Sequence, residues 1–145
     1  MTTALQIIFG SALLTACALL HVAIVASGIP YVKLAALRLG HMRRTTRRAI
    51  VLSLGVLVIL LAHTVQVWTW AFVFLLSTAL TTFAESFYFA MVTYTTLGYG
   101  DLVLGEGLRI FATFAAVTGL LTFGISTAFL ISLLGAMFPS MASRR

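Results

Sequence analysis

The chain has 145 residues, of which 61% are hydrophobic and only 8% charged, and its mean hydropathy is +1.13. So few charges cannot cover a water-soluble globule, which excludes a soluble domain and points to an integral membrane protein. Nine Lys and Arg against three acids give a net charge of +6. Because the basic residues flank apolar runs, they fit loops held on the cytoplasmic side of a membrane rather than a nucleic-acid surface.

Ala4 to Ser27 is apolar and uncharged, long enough to cross a bilayer core of roughly 30 Å at about 1.5 Å per residue. A signal peptide would begin with positive charge, whereas the first charged side chain is Lys33. Residues 1–28 therefore read as a retained span. Cys17, the only cysteine, has no partner for an intrachain disulfide or a zinc site and reads as a packing residue. Gly28, Ile29 and Pro30 predict a break. Residues 29–48 hold Lys33, Arg38, Arg43, Arg44, Arg47 and Arg48, and form either a basic cytoplasmic loop or a short helix on the membrane surface. A second span covers 49–76 and a third 108–137, with Arg109 at its start; the remainder, 138–145, is a short tail with Arg144 and Arg145. Glu85, Asp101 and Glu106 all fall between the second and third spans. The positive-inside rule then places the basic loop and the C-terminus in the cytoplasm, and residues 77–107 and the N-terminus outside.

The stretch between the second and third spans carries the chemistry. Thr82 followed by Glu85 has the form of a capping box, and the aromatic-rich run to Tyr94 predicts a short helix over 82–94, too short to span alone. The sequence then reads Thr95-Thr96-Leu97-Gly98-Tyr99-Gly100-Asp101. Two glycines one residue apart admit backbone angles closed to other residues. Alternation of left- and right-handed angles turns successive carbonyls to one side, making a row of hard oxygen ligands for a bare cation. Irregular backbone at membrane depth is tolerated only where protein buries it or it lines a cavity.

This stretch resembles the pore loop of tetrameric potassium channels, from about Phe87 to Asp101 and on into the third span. In that family an aromatic pair precedes a Thr-Thr pair, a Gly-Tyr-Gly signature and an acid; Tyr88 and Phe89, Thr95 and Thr96, Gly98-Tyr99-Gly100 and Asp101 occupy those places. The resemblance implies an all-α membrane protein of three transmembrane helices, with a re-entrant pore helix (82–94) and a selectivity-filter loop (95–101) inside a pore domain over 49–137. It implies assembly as a homotetramer, since one filter segment cannot encircle an ion. Carbonyls of Thr96, Leu97, Gly98 and Tyr99 would bind dehydrated K+ and Gly100 would complete the filter. Thr95, Asp101 and Tyr88 would support it, with Tyr88 donating a hydrogen bond to Asp101. Leu97 departs from the commoner Val, and Val92 stands where some bacterial members have an acid. The extra first span resembles small prokaryotic ion-channel-domain proteins, which implies a prokaryotic plasma membrane.

Gly119 and Gly124 lie where the family's inner helix has gating glycines; close helix packing is the other reading. Thr118, Thr122, Ser126 and Thr127 either line a cavity or bond backbone carbonyls. His63 and Gln66, three apart in the second span, sit where ionisable groups are functional candidates. His63 is either a proton sensor or a neutral side chain bonded to the pore helix, and the second is the simpler expectation; the same holds for His21. No helix carries the regular Arg series of a voltage sensor, and no ligand-binding domain is expected after Met137, which suggests a leak-like or simply gated pore. The functional expectation is passive, potassium-selective conduction, with membrane lipid as surroundings and no cofactor, nucleic acid or small-molecule substrate. A weakly selective cation channel, with Leu97 as the cause, and a non-conducting modulatory subunit are the alternatives. An enzyme is not expected: none of the three acids pairs with a histidine at catalytic spacing, and no phosphate loop or metal cluster is present.

Overall fold

Four helices account for most of residues 1–138, the part of the chain that the computed structural model describes: α1 (Thr3–Arg38), α2 (Arg44–Leu76), α3 (Phe83–Tyr94) and α4 (Glu106–Met137). Most of the expected tail, with Arg144 and Arg145, lies outside the described residues. Three of the helices, α1, α2 and α4, are long and apolar enough to cross a membrane. The 12 residues of α3 reach about 18 Å, well short of a hydrocarbon core of about 30 Å.

The break expected at Gly28-Ile29-Pro30 is absent. α1 continues through Pro30 to Arg38, so Tyr31–Arg38 is neither a loop nor a separate surface helix, and the connection to α2 is only Leu39 to Arg43. Proline removes one N–H donor from the helix ladder, and within a membrane neighbouring helices make such a loss tolerable. Here Gly28 lets α2 approach so closely that a Cβ in its place would lie 2.5 Å from Val58 Cγ1. That close packing braces α1 two residues before the proline. The six basic residues consequently project from the last turns of α1, the connection and the first turns of α2.

Gln6 fixes how α1 meets α4. Its side-chain Nε2 donates to the Glu106 carbonyl at 3.1 Å, and its Oε1 accepts from the Ile110 and Phe111 N–H groups at 3.0 and 3.2 Å. The two helices therefore start at the same end and run parallel, with α2 antiparallel to both. α3 runs back along α2, from Phe83 beside Phe72 to Tyr94 beside His63. An aromatic core of Trp70, Phe74, Phe89 and Phe111 joins α2, α3 and α4.

Polar side chains point inward. Gln6, His21, Gln66, Thr118, Thr122 and Ser126 are buried, while many Leu, Ile and Phe side chains are exposed. In lipid the apolar side chains gain little by hiding, whereas unsatisfied polar groups cost energy, so hydrogen bonds between helices take the interior.

Candidate functional site

Thr82 begins α3 with a complete capping box: its hydroxyl accepts from the Glu85 N–H at 3.2 Å, and Glu85 Oε2 accepts from the Thr82 N–H at 3.3 Å. The Thr81 hydroxyl adds a bond to the same carboxylate at 3.0 Å, and it is the main cause holding Glu85 below the usual carboxylate range.

At the other end of α3 the chain leaves the helix without leaving its carbonyls empty. The Thr96 N–H bonds the Thr93 carbonyl at 2.9 Å, and the Leu97 and Gly98 N–H groups converge on the Val92 carbonyl at 2.9 and 3.3 Å. The Thr95 hydroxyl donates back to the Met91 carbonyl at 2.7 Å. None of these bonds uses a carbonyl of Thr96, Leu97, Gly98 or Tyr99. The backbone is left-handed at every second residue, with φ of +60° at Thr96, +57° at Gly98 and +80° at Gly100. Glycine takes such angles without strain. A β-branched threonine does not, so Thr96 holds local strain of about 1–3 kcal/mol, the kind that clusters at functional segments. The loop is exposed in the single chain, with Leu97 at 54% and Tyr99 at 68%.

Tyr88 and Asp101 tie the far side of the loop to α3. The Tyr88 hydroxyl donates to Asp101 Oδ2 at 2.6 Å, and Asp101 Oδ1 accepts from the Leu102 N–H at 3.0 Å. The phenol bond holds the Asp101 carboxyl below its ordinary value and, in return, raises the Tyr88 phenol.

Tyr94, the last residue of α3, is 1% exposed and anchors the helix end to two others. Its hydroxyl lies 2.7 Å from His63 Nδ1 on α2 and 2.7 Å from Thr122 Oγ1 on α4. The Thr122 hydroxyl in turn donates to the Thr118 carbonyl at 2.8 Å. His63 Nε2 lies 3.1 Å from Ser126 Oγ, which also meets His21 Nε2 of α1 at 2.9 Å. All four helices thus meet in one polar chain, with Phe123 stacked on the His63 ring at 4.4 Å. Gln66 does not join it and donates instead to the Cys17 carbonyl at 2.7 Å.

The residues singled out on the third span divide. Thr118, Thr122 and Ser126 are buried against the other helices and Thr127 is exposed, with its hydroxyl bonded to the Phe123 carbonyl. Gly119 is a packing residue: a Cβ there would collide with the Tyr94 carbonyl oxygen. Gly124 faces open space. His63 bonds α3, as its simpler expectation had it, but the sequence did not single out the Tyr94 hydroxyl as the partner. The signal for it was two histidines in uncharged spans, each needing a partner.

A family model described as "Ion channel" matches residues 51–136, more than half of the chain. The match takes in most of α2, α3, the following loop and nearly all of α4, and leaves α1 outside. The comparisons with curated proteins and with solved structures returned no match.

Proposed function

Because this chain belongs to the ion-channel family whose model it matches, and so to a transport rather than an enzymatic class, we propose that it is one subunit of a potassium-selective tetramer. Thr96-Leu97-Gly98-Tyr99-Gly100 is its selectivity filter, and α3 is a re-entrant pore helix. The observation that carries this reading is the left-handed backbone at alternate residues, Thr96, Gly98 and Gly100. It is the pattern that turns consecutive carbonyls of Thr96 to Tyr99 toward one line, where they replace the hydration shell of K+. Exposure of Leu97 and Tyr99 in the single chain supports the same reading, since three further copies around a four-fold axis would cover the loop.

α3 ends at Tyr94 with the partial negative charge of its dipole toward the ion path. Tyr88 and Asp101 brace the filter from behind. By the charge asymmetry of the sequence, the N-terminus and the filter are outside and the basic end is in the cytoplasm.

The test is potassium uptake into liposomes by the purified chain, with sodium as the competing ion and barium as blocker. Uptake that follows potassium, is blocked by barium and is lost in Gly98→Ala is the expected outcome. Comparable sodium uptake assigns the chain to the weakly selective class instead. A folded tetramer without flux removes the reading altogether.

A further inference from the structure

At the basic end, α1, α2 and α4 do not close on one another. A groove of about 720 Å³ runs between them, lined chiefly by apolar side chains together with Lys33, Arg47 and Ser132. Along α1 the lining runs from Ile29 to Leu37, and along α4 from Phe129 to Met137. Each stretch covers about 12 Å of helix. The volume falls within the roughly 300–1,000 Å³ of small-molecule sites.

The charge in this groove has no counterpart. The chain's only acidic side chains, Glu85, Asp101 and Glu106, stand on α3, its following loop and the first turn of α4, at the opposite end. Arg48 is engaged, with its guanidinium 4.4 Å from the centre of the Phe138 ring. Arg47 is not: its Nε is buried without a hydrogen-bond partner among the described residues. A buried guanidinium N–H with no acceptor is costly, and a phosphate oxygen is the acceptor that its geometry suits. The occupant must therefore be anionic at one end and apolar along the rest. Residues 139–145 carry two more arginines and no acidic side chain, so that their net charge is positive, and a second copy of the chain presents the same positive sign. Neither is complementary.

We propose that this groove binds an anionic phospholipid, with its phosphate held by Lys33 and Arg47 and an acyl chain lying against Val32, Val51, Phe129 and Leu133. Basic recesses between transmembrane helices recognise anionic headgroups by this combination of charge and apolar wall. The site depends on α1, which the family match does not include. It rests on membrane residence and stands whether or not the pore conducts.

The test is lipid retention by the full chain, exchanged in mild detergent into equal phosphatidylglycerol and phosphatidylcholine and analysed by native mass spectrometry. The wild-type chain should retain phosphatidylglycerol at least tenfold over phosphatidylcholine, and millimolar inorganic phosphate or glycerol phosphate should fail to displace it. Arg47→Gln and Lys33→Gln should each lower retention about tenfold. Arg44→Gln, the same charge change outside the groove, should not. Ala36→Phe fills the apolar part and should expel the lipid with both cations intact, which keeps the test open if Arg47→Gln folds poorly. Equal retention of the two lipids, displacement by free phosphate, equal losses in Arg44→Gln and Arg47→Gln, or a folded Ala36→Phe chain that keeps its lipid would each overturn the proposal.

Discussion

The Tyr94 hydroxyl lies 2.7 Å from His63 Nδ1, so the last side chain of α3 is fastened to the middle of α2 one residue before the proposed filter loop begins. The same hydroxyl lies 2.7 Å from Thr122 on α4. Tyr94→Phe removes both bonds and leaves His63 Nδ1 and Thr122 Oγ1 each short of a partner, at a cost of about 1–2 kcal/mol in a membrane interior. The predicted outcome is a lower thermal midpoint in fixed detergent together with reduced potassium-over-sodium preference in liposomes. A stability loss with selectivity untouched would reduce Tyr94 to a packing residue.

Gly119 and Gly124 separate in a second measurement. An added methyl at Gly119 meets the Tyr94 backbone carbonyl, which cannot rotate away, whereas one at Gly124 meets nothing. Gly119→Ala should destabilise by about 1–3 kcal/mol through overpacking. Gly124→Ala should hold or raise stability by up to about 1 kcal/mol, through helix propensity alone. Thermal unfolding of the two variants beside the wild type checks the order.

The Tyr88–Asp101 tie predicts a pH dependence. Asp101 titrates below its ordinary value in the folded chain, so the tie is complete above the unfolded carboxylate pKa of about 3.9 and is lost as pH falls through the lowered folded value. Tyr88→Phe removes the donor that lowers Asp101, so the carboxyl takes up its proton at higher pH in the variant than in the wild type. Flux measured against external pH should show the acid limb displaced to higher pH in the variant. An unmoved acid limb would take the Tyr88–Asp101 pair out of the account of the proposed filter's stability.

Gln6 yields a prediction that leaves the loop alone. Its amide satisfies the Glu106 carbonyl and the Ile110 and Phe111 N–H groups, none of which touches residues 95–101. Gln6→Leu should lower thermal stability by about 1–2 kcal/mol and leave ion preference unchanged, as parallel unfolding and flux assays would register.

The long helices were legible in the sequence because length and apolarity define a span, and the Thr82–Glu85 box placed the start of α3 within one residue, Thr82 being its N-cap. Pro30 misled because a proline reports a missing donor and not the packing that compensates for it; Gly28 against Val58 was the compensation. Glycine at positions 98 and 100 advertised positive φ, but nothing in the identity of Thr96 did, since a β-branched residue adopts that angle only when its surroundings impose it. That His63 bonds α3 was the simpler expectation, and it does so through Tyr94; the Tyr94–Thr122 and His63–Ser126 contacts were not legible, because they depend on the rotation of helices about their axes, which an apolar run surrounded by lipid leaves undefined.

The row of hydroxyls and imidazoles from Thr122 to His21 also has a direction. Thr122 spends its single proton on the Thr118 carbonyl, so it must accept from Tyr94, which must then accept from His63 Nδ1–H. A neutral His63 is left with a lone pair at Nε2; Ser126 donates to it and accepts from His21 Nε2–H. The tautomer of an imidazole on α1 is thus dictated by a threonine on α4. Thr122→Val lifts that constraint and frees Tyr94 to donate to His63, so the balance of the two tautomers at His63 and His21 should shift, a change that nitrogen-15 NMR of the two rings reads directly.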